Sequence, residues 1–122
     1  MSESKPAVVY LDDEEINLIL FREMFKRDFD VFTTTYPQEA LDYLKENNVE
    51  FVFTDQRMPI MTGVEFLKEL EGSNIPAVPK KVMISGYAAE GDVSEAIEKN
   101  LIDRFIDKPW TYQGLKEVIS TI

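Results

Sequence analysis

Five polar side chains stand at the ends of apolar runs in this chain, and their types restrict the chemistry that they could perform. Three are carboxylates, one is a hydroxyl and one is an amine: Asp12, Asp13, Asp55, Ser85 and Lys108. The carboxyl ends of parallel strands meet at one edge of an open α/β sheet, and ligands bind there. The gap from Asp13 to Asp55 has room for two strand–helix units and each later gap holds one, so all five side chains are predicted to line one cleft.

Crowded carboxylates in such a cleft favour a metal ion and phosphoryl transfer. Because like charges repel, one acid takes up a proton or a hard cation neutralises them, and Mg²⁺ prefers oxygen ligands of this kind. Asp12 and Asp13 would hold the ion, with Asp55 completing its protein ligands. A carboxylate can also attack phosphorus and form an aspartyl phosphate. Lys108 could neutralise the transferred group and Ser85 could donate a hydrogen bond to its oxygens.

The elements that must position these residues follow from apolar runs and turn residues. Strands are predicted over Ala7–Leu11, Asp30–Thr34, Phe51–Asp55, Lys81–Ser85 and Ile102–Ile106. Helical patterns lie between and after them, over Ile16–Arg27, Tyr36–Asn47, Val64–Leu70, Ala88–Asn100 and Tyr112–Ile122. This alternation is typical of βαβ units and a parallel sheet. Right-handed crossovers and short loops leave few topologies, among them a doubly wound five-stranded sheet in the order 2-1-3-4-5.

The helix after the first acidic run has more apolar residues than one stripe needs. The residues predicted to face the sheet are Ile16, Leu20, Phe21 and Met24. Leu18 and Phe25 then fall on another side, as part of a thick core or as a docking patch. Asp12 also fits the N-cap of this helix, because Glu15 follows three residues later as in a capping box.

The fourth helical pattern is the poorest in apolar residues. Val93, Ala96 and Ile97 are predicted to face inward, and glutamates cover the opposite side. A helix that buries so few apolar contacts is expected to be the least firmly packed of the five.

Length, charge and composition exclude several classes of protein. The 122 residues suit one domain over 1–122 that buries roughly two-thirds of its unfolded surface. There is no cysteine, and the first residues lack the apolar core of a signal peptide. No apolar run approaches the roughly 20 residues of a membrane helix. These features predict a cytoplasmic protein. The net charge of −10, from 13 basic and 23 acidic residues, repels nucleic-acid backbones and argues against direct binding to them.

Four segments carry a resemblance to a known family. They are Leu11-Asp12-Asp13-Glu14, Thr54-Asp55-Gln56-Arg57-Met58-Pro59 with Thr62-Gly63, Ile84-Ser85-Gly86-Tyr87, and Asp107-Lys108-Pro109-Trp110. In order and spacing they resemble the signature segments of response-regulator receiver domains (CheY-like) of two-component signal transduction. The resemblance covers essentially the whole chain.

The resemblance implies a phosphorylation-switched module that catalyses only its own phosphotransfer and dephosphorylation. Asp55 would accept a phosphoryl group from a sensor histidine kinase or a histidine phosphotransfer protein, with Mg²⁺ as cofactor. The implied metal ligands are Asp12, Asp13, Asp55 and the backbone carbonyl of Arg57. Lys108 would pair with the phosphoryl group, next to a cis peptide bond to Pro109.

The resemblance also implies a switch and two protein-binding surfaces. Ser85 would move toward the phosphate and Phe105 would swing inward. This would change the surface of the fourth helix, fifth strand and fifth helix, which would signal to a downstream protein and could also form a homodimer. The kinase would dock on the helix after Asp13, which favours the interpretation of Leu18 and Phe25 as a docking patch. Arg57 and Tyr87 would flank the phosphate and tune the access of water.

Two other classes of protein stay open at this point. A Mg²⁺-dependent phosphohydrolase of the haloacid-dehalogenase type also forms an aspartyl phosphate, but it would need an acid where this chain has Arg57. A flavodoxin-like cofactor binder would need a Ser-, Thr- or Gly-rich loop after the first strand, where this chain has four acids.

Overall fold

A computed structural model describes residues 5–86 and 91–122, and within them five strands alternate with five helices. The strands are β1 (Ala7–Leu11), β2 (Asp30–Thr34), β3 (Phe51–Asp55), β4 (Lys80–Ser85) and β5 (Arg104–Asp107). The helices are α1 (Glu15–Phe25), α2 (Pro37–Glu46), α3 (Gly63–Glu71), α4 (Gly91–Glu98) and α5 (Tyr112–Thr121). In the described part of the chain, no helix is both long and apolar enough to cross a membrane.

The strands form one parallel sheet in the order β2-β1-β3-β4-β5, which confirms the predicted fold class and topology. The register aligns the carboxyl ends of neighbouring strands. Leu11 of β1 is opposite Thr54, Asp55 of β3 is opposite Ile84, and Ser85 of β4 is opposite Asp107. The polar residues that end these strands are therefore carried to the same edge of the sheet.

The core has two layers, one on each face of the sheet. Successive side chains of a strand point to opposite faces. Val9 and Leu11 accordingly join the cluster beneath α2, α3 and α4, whereas Val8 and Tyr10 join the cluster beneath α1 and α5. Because both faces of β1 and β3 are covered, apolar residues occupy these strands almost without interruption, as is usual for buried parallel strands.

The predicted orientation of α1 is wrong. Leu18, Phe21 and Phe25 are buried against the sheet, and the residues predicted to face it are exposed, except Phe21. The exposed apolar residues, here called the α1 face, are Ile16, Ile19, Leu20 and Met24, with 37–58% of their surface accessible. Residues 18, 21 and 25 follow the helical spacing of one narrow stripe. Phe21 packs on the rings of Tyr10 in β1 and Phe53 in β3, and Phe25 packs on Phe21.

Two predictions about the last third of the chain also need correction. In α4, Val93 and Ala96 are buried as predicted, but Ile97 is 45% exposed; residues 88–90 of the predicted helix lie outside the described part. β5 begins at Arg104 rather than Ile102. Leu101 and Ile102 are buried in the core cluster before the strand starts, so this apolar run marks burial rather than strand pairing.

Candidate functional site

The end of β1 places two acids in different environments. Asp12 is fully buried, whereas Asp13 is exposed. One carboxylate oxygen of Asp12 (Oδ1) accepts a hydrogen bond from the backbone N–H of Glu14 at 2.9 Å. Glu14, not Asp12, occupies the N-cap position of α1 and makes no capping bond with its side chain. The interpretation of Asp12 as the N-cap is therefore wrong, and its carboxylate instead belongs to a cluster of acids with Asp13 and Asp55.

The end of β3 brings Asp55 to the same place. Asp55 is buried, and its Oδ1 accepts a hydrogen bond from the backbone N–H of Gln56 at 2.9 Å. One carboxylate oxygen from each of Asp12, Asp13 and Asp55 lies within 4.8 Å of the other two. Three carboxylate oxygens at this spacing are compatible with a site for a hard divalent cation.

Lys108 reaches this cluster from the connection between β5 and α5. Its ammonium nitrogen is 3.2 Å from Asp55 Oδ2 and 3.5 Å from Asp12 Oδ2. Its backbone N–H donates to the carbonyl oxygen of Ser85 at 3.1 Å, which joins the ends of β4 and β5. The peptide bond from Lys108 to Pro109 is cis, as predicted.

The charges of this cluster are only partly balanced. Burial, together with the nearby charge of Asp12, raises the pKa of Asp55 to about 6 against the opposing effect of Lys108. Burial alone would lower the pKa of Lys108, but the carboxylates of Asp12 and Asp55 outweigh it and raise this pKa. Asp12 and Asp55 therefore share the Lys108 ammonium group, and a bound cation would place further positive charge beside these carboxylates.

A cleft of about 450 Å³ opens over these groups. Its lining residues are Asp13, Glu14, Asp55, Arg57, Ser85, Gly86 and Lys108. Ser85 is buried at its inner wall, and Arg57 is exposed at its rim. Phe105 is half-buried and packs against the core cluster beneath α2, α3 and α4, while Tyr87 lies outside the described residues. The structure thus brings Asp12, Asp13, Asp55, Ser85 and Lys108 together.

The connection from β3 to α3 is held by residues that the sequence analysis gave no role. The buried side chain of Gln56 accepts a hydrogen bond from the N–H of Val64 at 2.9 Å, and the backbone carbonyl of Gln56 accepts one from the N–H of Gly63 at 3.0 Å. A Cβ at Gly63 would collide with the carbonyl oxygen of Asp55. Thr62 and Glu65 form a capping box, whose Thr-x-x-Glu spacing was readable in the sequence. Nothing in the sequence distinguished Gln56.

Tyr10 is a second residue that the sequence analysis missed. It is fully buried in β1, and its hydroxyl donates to Asp12 Oδ2 at 2.7 Å. Burial and the charge of Asp12 raise the pKa of the Tyr10 hydroxyl far above its usual value, so the group stays protonated and remains a donor. The only indication of this contact in the sequence was the position of Tyr10, two residues before Asp12 and on the opposite face of the strand from Leu11.

Comparisons with known proteins agree with this geometry. The family model of the response regulator receiver domain matches residues 8–120. The hydrogenase transcriptional regulatory protein HoxA of Cupriavidus necator is 33% identical over 98% of this chain, but the match covers 24% of HoxA. The polar-differentiation response regulator DivK of Brucella ovis is 25% identical, and the match covers 94% of each protein. The chain thus spans about a quarter of HoxA and nearly all of DivK.

Solved structures give the same result for the fold. A CheY-like receiver domain from Methylobacillus flagellatus superposes with a TM-score of 0.83 at 20% identity, covering 97% of this chain and 98% of that one. An uncharacterised protein from Neptuniibacter caesariensis gives a TM-score of 0.84 at 34% identity, covering 97% of this chain and 87% of that one.

Proposed function

The chain belongs to the family of response regulator receiver domains, and from that premise we propose that it is switched by phosphorylation of Asp55. The observation that carries the proposal is the position of Asp55 at the end of β3. Its carboxylate lies 3.2 Å from the Lys108 ammonium and close to two further carboxylates. In this role the chain is a signalling module of a two-component system and not an enzyme that turns over a separate substrate.

The transfer step uses Asp55 as the nucleophile. A carboxylate oxygen attacks the phosphorus of a phosphohistidine on a sensor kinase or phosphotransfer protein, so that an O–P bond forms as the P–N bond breaks and the imidazole leaves with the bonding electrons. The N–H of Gln56 fixes the carboxylate through Oδ1. The Lys108 ammonium, already near Oδ2, pairs with the negative charge of the incoming group. The Ser85 hydroxyl, at the wall of the cleft, donates to a phosphoryl oxygen.

The acids of the cleft fit Mg²⁺ as the resident cation. Asp12, Asp13 and Asp55 supply closely spaced oxygens, and two of these acids, Asp12 and Asp55, already attract the Lys108 ammonium. The backbone carbonyl of Arg57, a residue at the rim of the cleft, is the fourth protein ligand that we assign. When bound, Mg²⁺ would neutralise negative charge on the acids and on the transferred phosphoryl group.

The surface that receives the phosphodonor is the α1 face, in place of the Leu18 and Phe25 patch. These two residues are buried and cannot contact a partner. The α1 face begins at Ile16, two residues after Glu14, which lines the cleft, so a protein bound there could present its phosphohistidine to Asp55. Exposed apolar residues grouped on one helix face are typical of a binding surface.

The output follows from Ser85 and Phe105. Ser85 moves toward the phosphate. Phe105, which is half-buried in this structure, turns inward and changes the surface formed by α4, β5 and α5. A downstream protein, or a second copy of the chain, binds that changed surface. The phosphate shifts the equilibrium between the two conformations only by the difference in free energy between its contacts in one conformation and in the other.

Intact mass after incubation with acetyl phosphate tests the chemistry without a kinase. We expect the wild type to gain one phosphoryl group when Mg²⁺ is present, whereas Asp55→Asn gains none because an amide is not a nucleophile. Asp28→Asn, which changes an exposed acid between α1 and β2, is the matched control and should be labelled like the wild type. Equal labelling of Asp55→Asn would refute the assignment.

The α1 face is tested by comparing two phosphodonors. Leu20→Ser removes an exposed apolar side chain. It should slow transfer from a histidine phosphotransfer domain and leave labelling by acetyl phosphate unchanged, because the small donor needs no docking surface. If both reactions slow equally, the variant has altered the site and the docking assignment fails.

A further inference from the structure

Tyr10 has a buried hydroxyl that the phosphoryl transfer described above does not use. Its ring is held in the core beneath α1 and α5. The ring centroid is 4.8 Å from that of Phe21 at an interplanar angle of 56°, and 6.4 Å from that of Phe53 in an edge arrangement. A ring packed on two others has little freedom to rotate, so its hydroxyl has a defined position.

That position is beside Asp12, the most buried acid of the cluster with Asp13 and Asp55. Asp12 Oδ2 lies 2.7 Å from the Tyr10 hydroxyl, 3.2 Å from the side-chain nitrogen of Asn17 and 3.5 Å from the Lys108 ammonium. The bond from Tyr10 is the shortest of the three and comes from the core side. A hydrogen bond to an ionised acceptor is about twice as strong as one between neutral groups.

We propose that Tyr10 is a positioning residue of the metal site, whose hydroxyl orients the Asp12 carboxylate for a divalent cation. This inference rests on the proposed function, because it requires Asp12 to serve the cation. With phenylalanine at this position, Oδ2 keeps only its two longer contacts, and the carboxylate can turn toward Lys108 or Asn17. Outer hydrogen bonds that orient metal ligands commonly determine metal affinity.

The aromatic cluster around Tyr10 also contains Trp110. The Trp110 ring meets Phe21 edge-on at 6.3 Å between centroids, and Phe21 in turn packs on Tyr10. Trp110 is the one tryptophan of the chain and follows Lys108 by two residues. Its fluorescence therefore reports on this aromatic cluster without any need for phosphorylation.

The test compares Tyr10→Phe with Tyr43→Phe in Mg²⁺ titrations followed by calorimetry and by Trp110 emission. Tyr43 is a half-buried tyrosine in the opposite core layer, stacked on Phe32 at 4.2 Å between centroids. Both variants lose one hydroxyl and keep the ring. We expect Tyr10→Phe to bind Mg²⁺ roughly 10-fold more weakly and Tyr43→Phe to match the wild type. The change in Trp110 emission on adding Mg²⁺ should also be smaller in Tyr10→Phe.

A merely structural Tyr10 would behave differently. In that case Tyr10→Phe would lower the melting temperature but bind Mg²⁺ as the wild type does, and this result would overturn the inference while the proposed function stands. A wild type that binds no Mg²⁺ would overturn both. If Tyr10→Phe does not fold, Asn17→Ala provides the test. This variant removes the longer hydrogen bond to Asp12 Oδ2 and must weaken Mg²⁺ binding. Unchanged Mg²⁺ affinity in Asn17→Ala would refute the need for an oriented Asp12.

Discussion

The two strands that flank β4 in the sheet differ sharply in how firmly they are held. All five residues of β3 are buried, whereas β5 contains no buried residue. The helices that follow differ in the same way: α3 buries five residues and has a capping box, whereas α5 buries only Leu115. Asp55, the nucleophile that we propose, thus lies on the firmly packed side of the cleft, and Lys108 and Phe105 lie on the loosely packed side.

This difference suits the two tasks that we propose for the chain, phosphorylation and a change of surface. A reacting carboxylate must be held in place, since small displacements from productive geometry slow a reaction strongly. A region that changes its surface in response to phosphate must instead come from the less stable parts of the fold. Lys108 joins the two sides because it extends from the end of β5 to Asp55 at the end of β3.

The largest effect should come from truncating one aromatic residue on each side. Phe53→Ala empties a fully buried position in β3 and should lower the free energy of unfolding by about 4 kcal/mol. Phe105→Ala removes a half-buried ring of β5 and should cost much less stability. Urea denaturation measures both, and equal losses would contradict the proposed difference in packing.

Removing the link between the two sides should have the next largest effect. Lys108→Gln leaves Asp12 and Asp55 without their cation and should cost about 3 kcal/mol in metal-free protein. Added Mg²⁺ should restore much of this stability, because it neutralises the same carboxylates. Lys99→Gln breaks an exposed ion pair with Glu95 and is the control, with little change expected. Thermal unfolding with and without Mg²⁺ separates these cases, and a Lys108→Gln variant as stable as the wild type would argue against a charged link.

A smaller effect is expected where β3 meets α3. A methyl group at Gly63 would collide with the Asp55 carbonyl and lie 2.9 Å from the end of Met83, so Gly63→Ala should cost about 2 kcal/mol and slow phosphorylation by acetyl phosphate. The control is Gly72→Ala at the end of α3, where a Cβ would lie 3.8 Å from its nearest neighbours. Urea denaturation and the rate of mass increase test the pair. Gly63→Ala with normal stability and rate would show that this close approach is not needed.

Much of the fold could be predicted because local signals agreed with one another. Apolar runs ending in a polar residue located every strand, and β1, β2 and β3 have the predicted bounds. The placement of Asp55 was clear because Pro59 follows soon after an apolar run and ends any strand there. The errors lie where the pattern was ambiguous, as in α1, whose apolar residues surround most of the helix.

The sequence by itself determined which residues end the strands, because strand length and alternation depend on neighbouring residues along the chain. Parallel pairing then required those ends to meet at one edge. Only the tertiary structure decided which side of α1 is buried, because that choice depends on the rings of Tyr10 and Phe53, which belong to other elements. It also decided that Lys108 lies between Asp12 and Asp55 and that the Tyr10 hydroxyl reaches Asp12, since hydrogen bonds and ion pairs act over a few ångströms between side chains that only the packed sheet brings together.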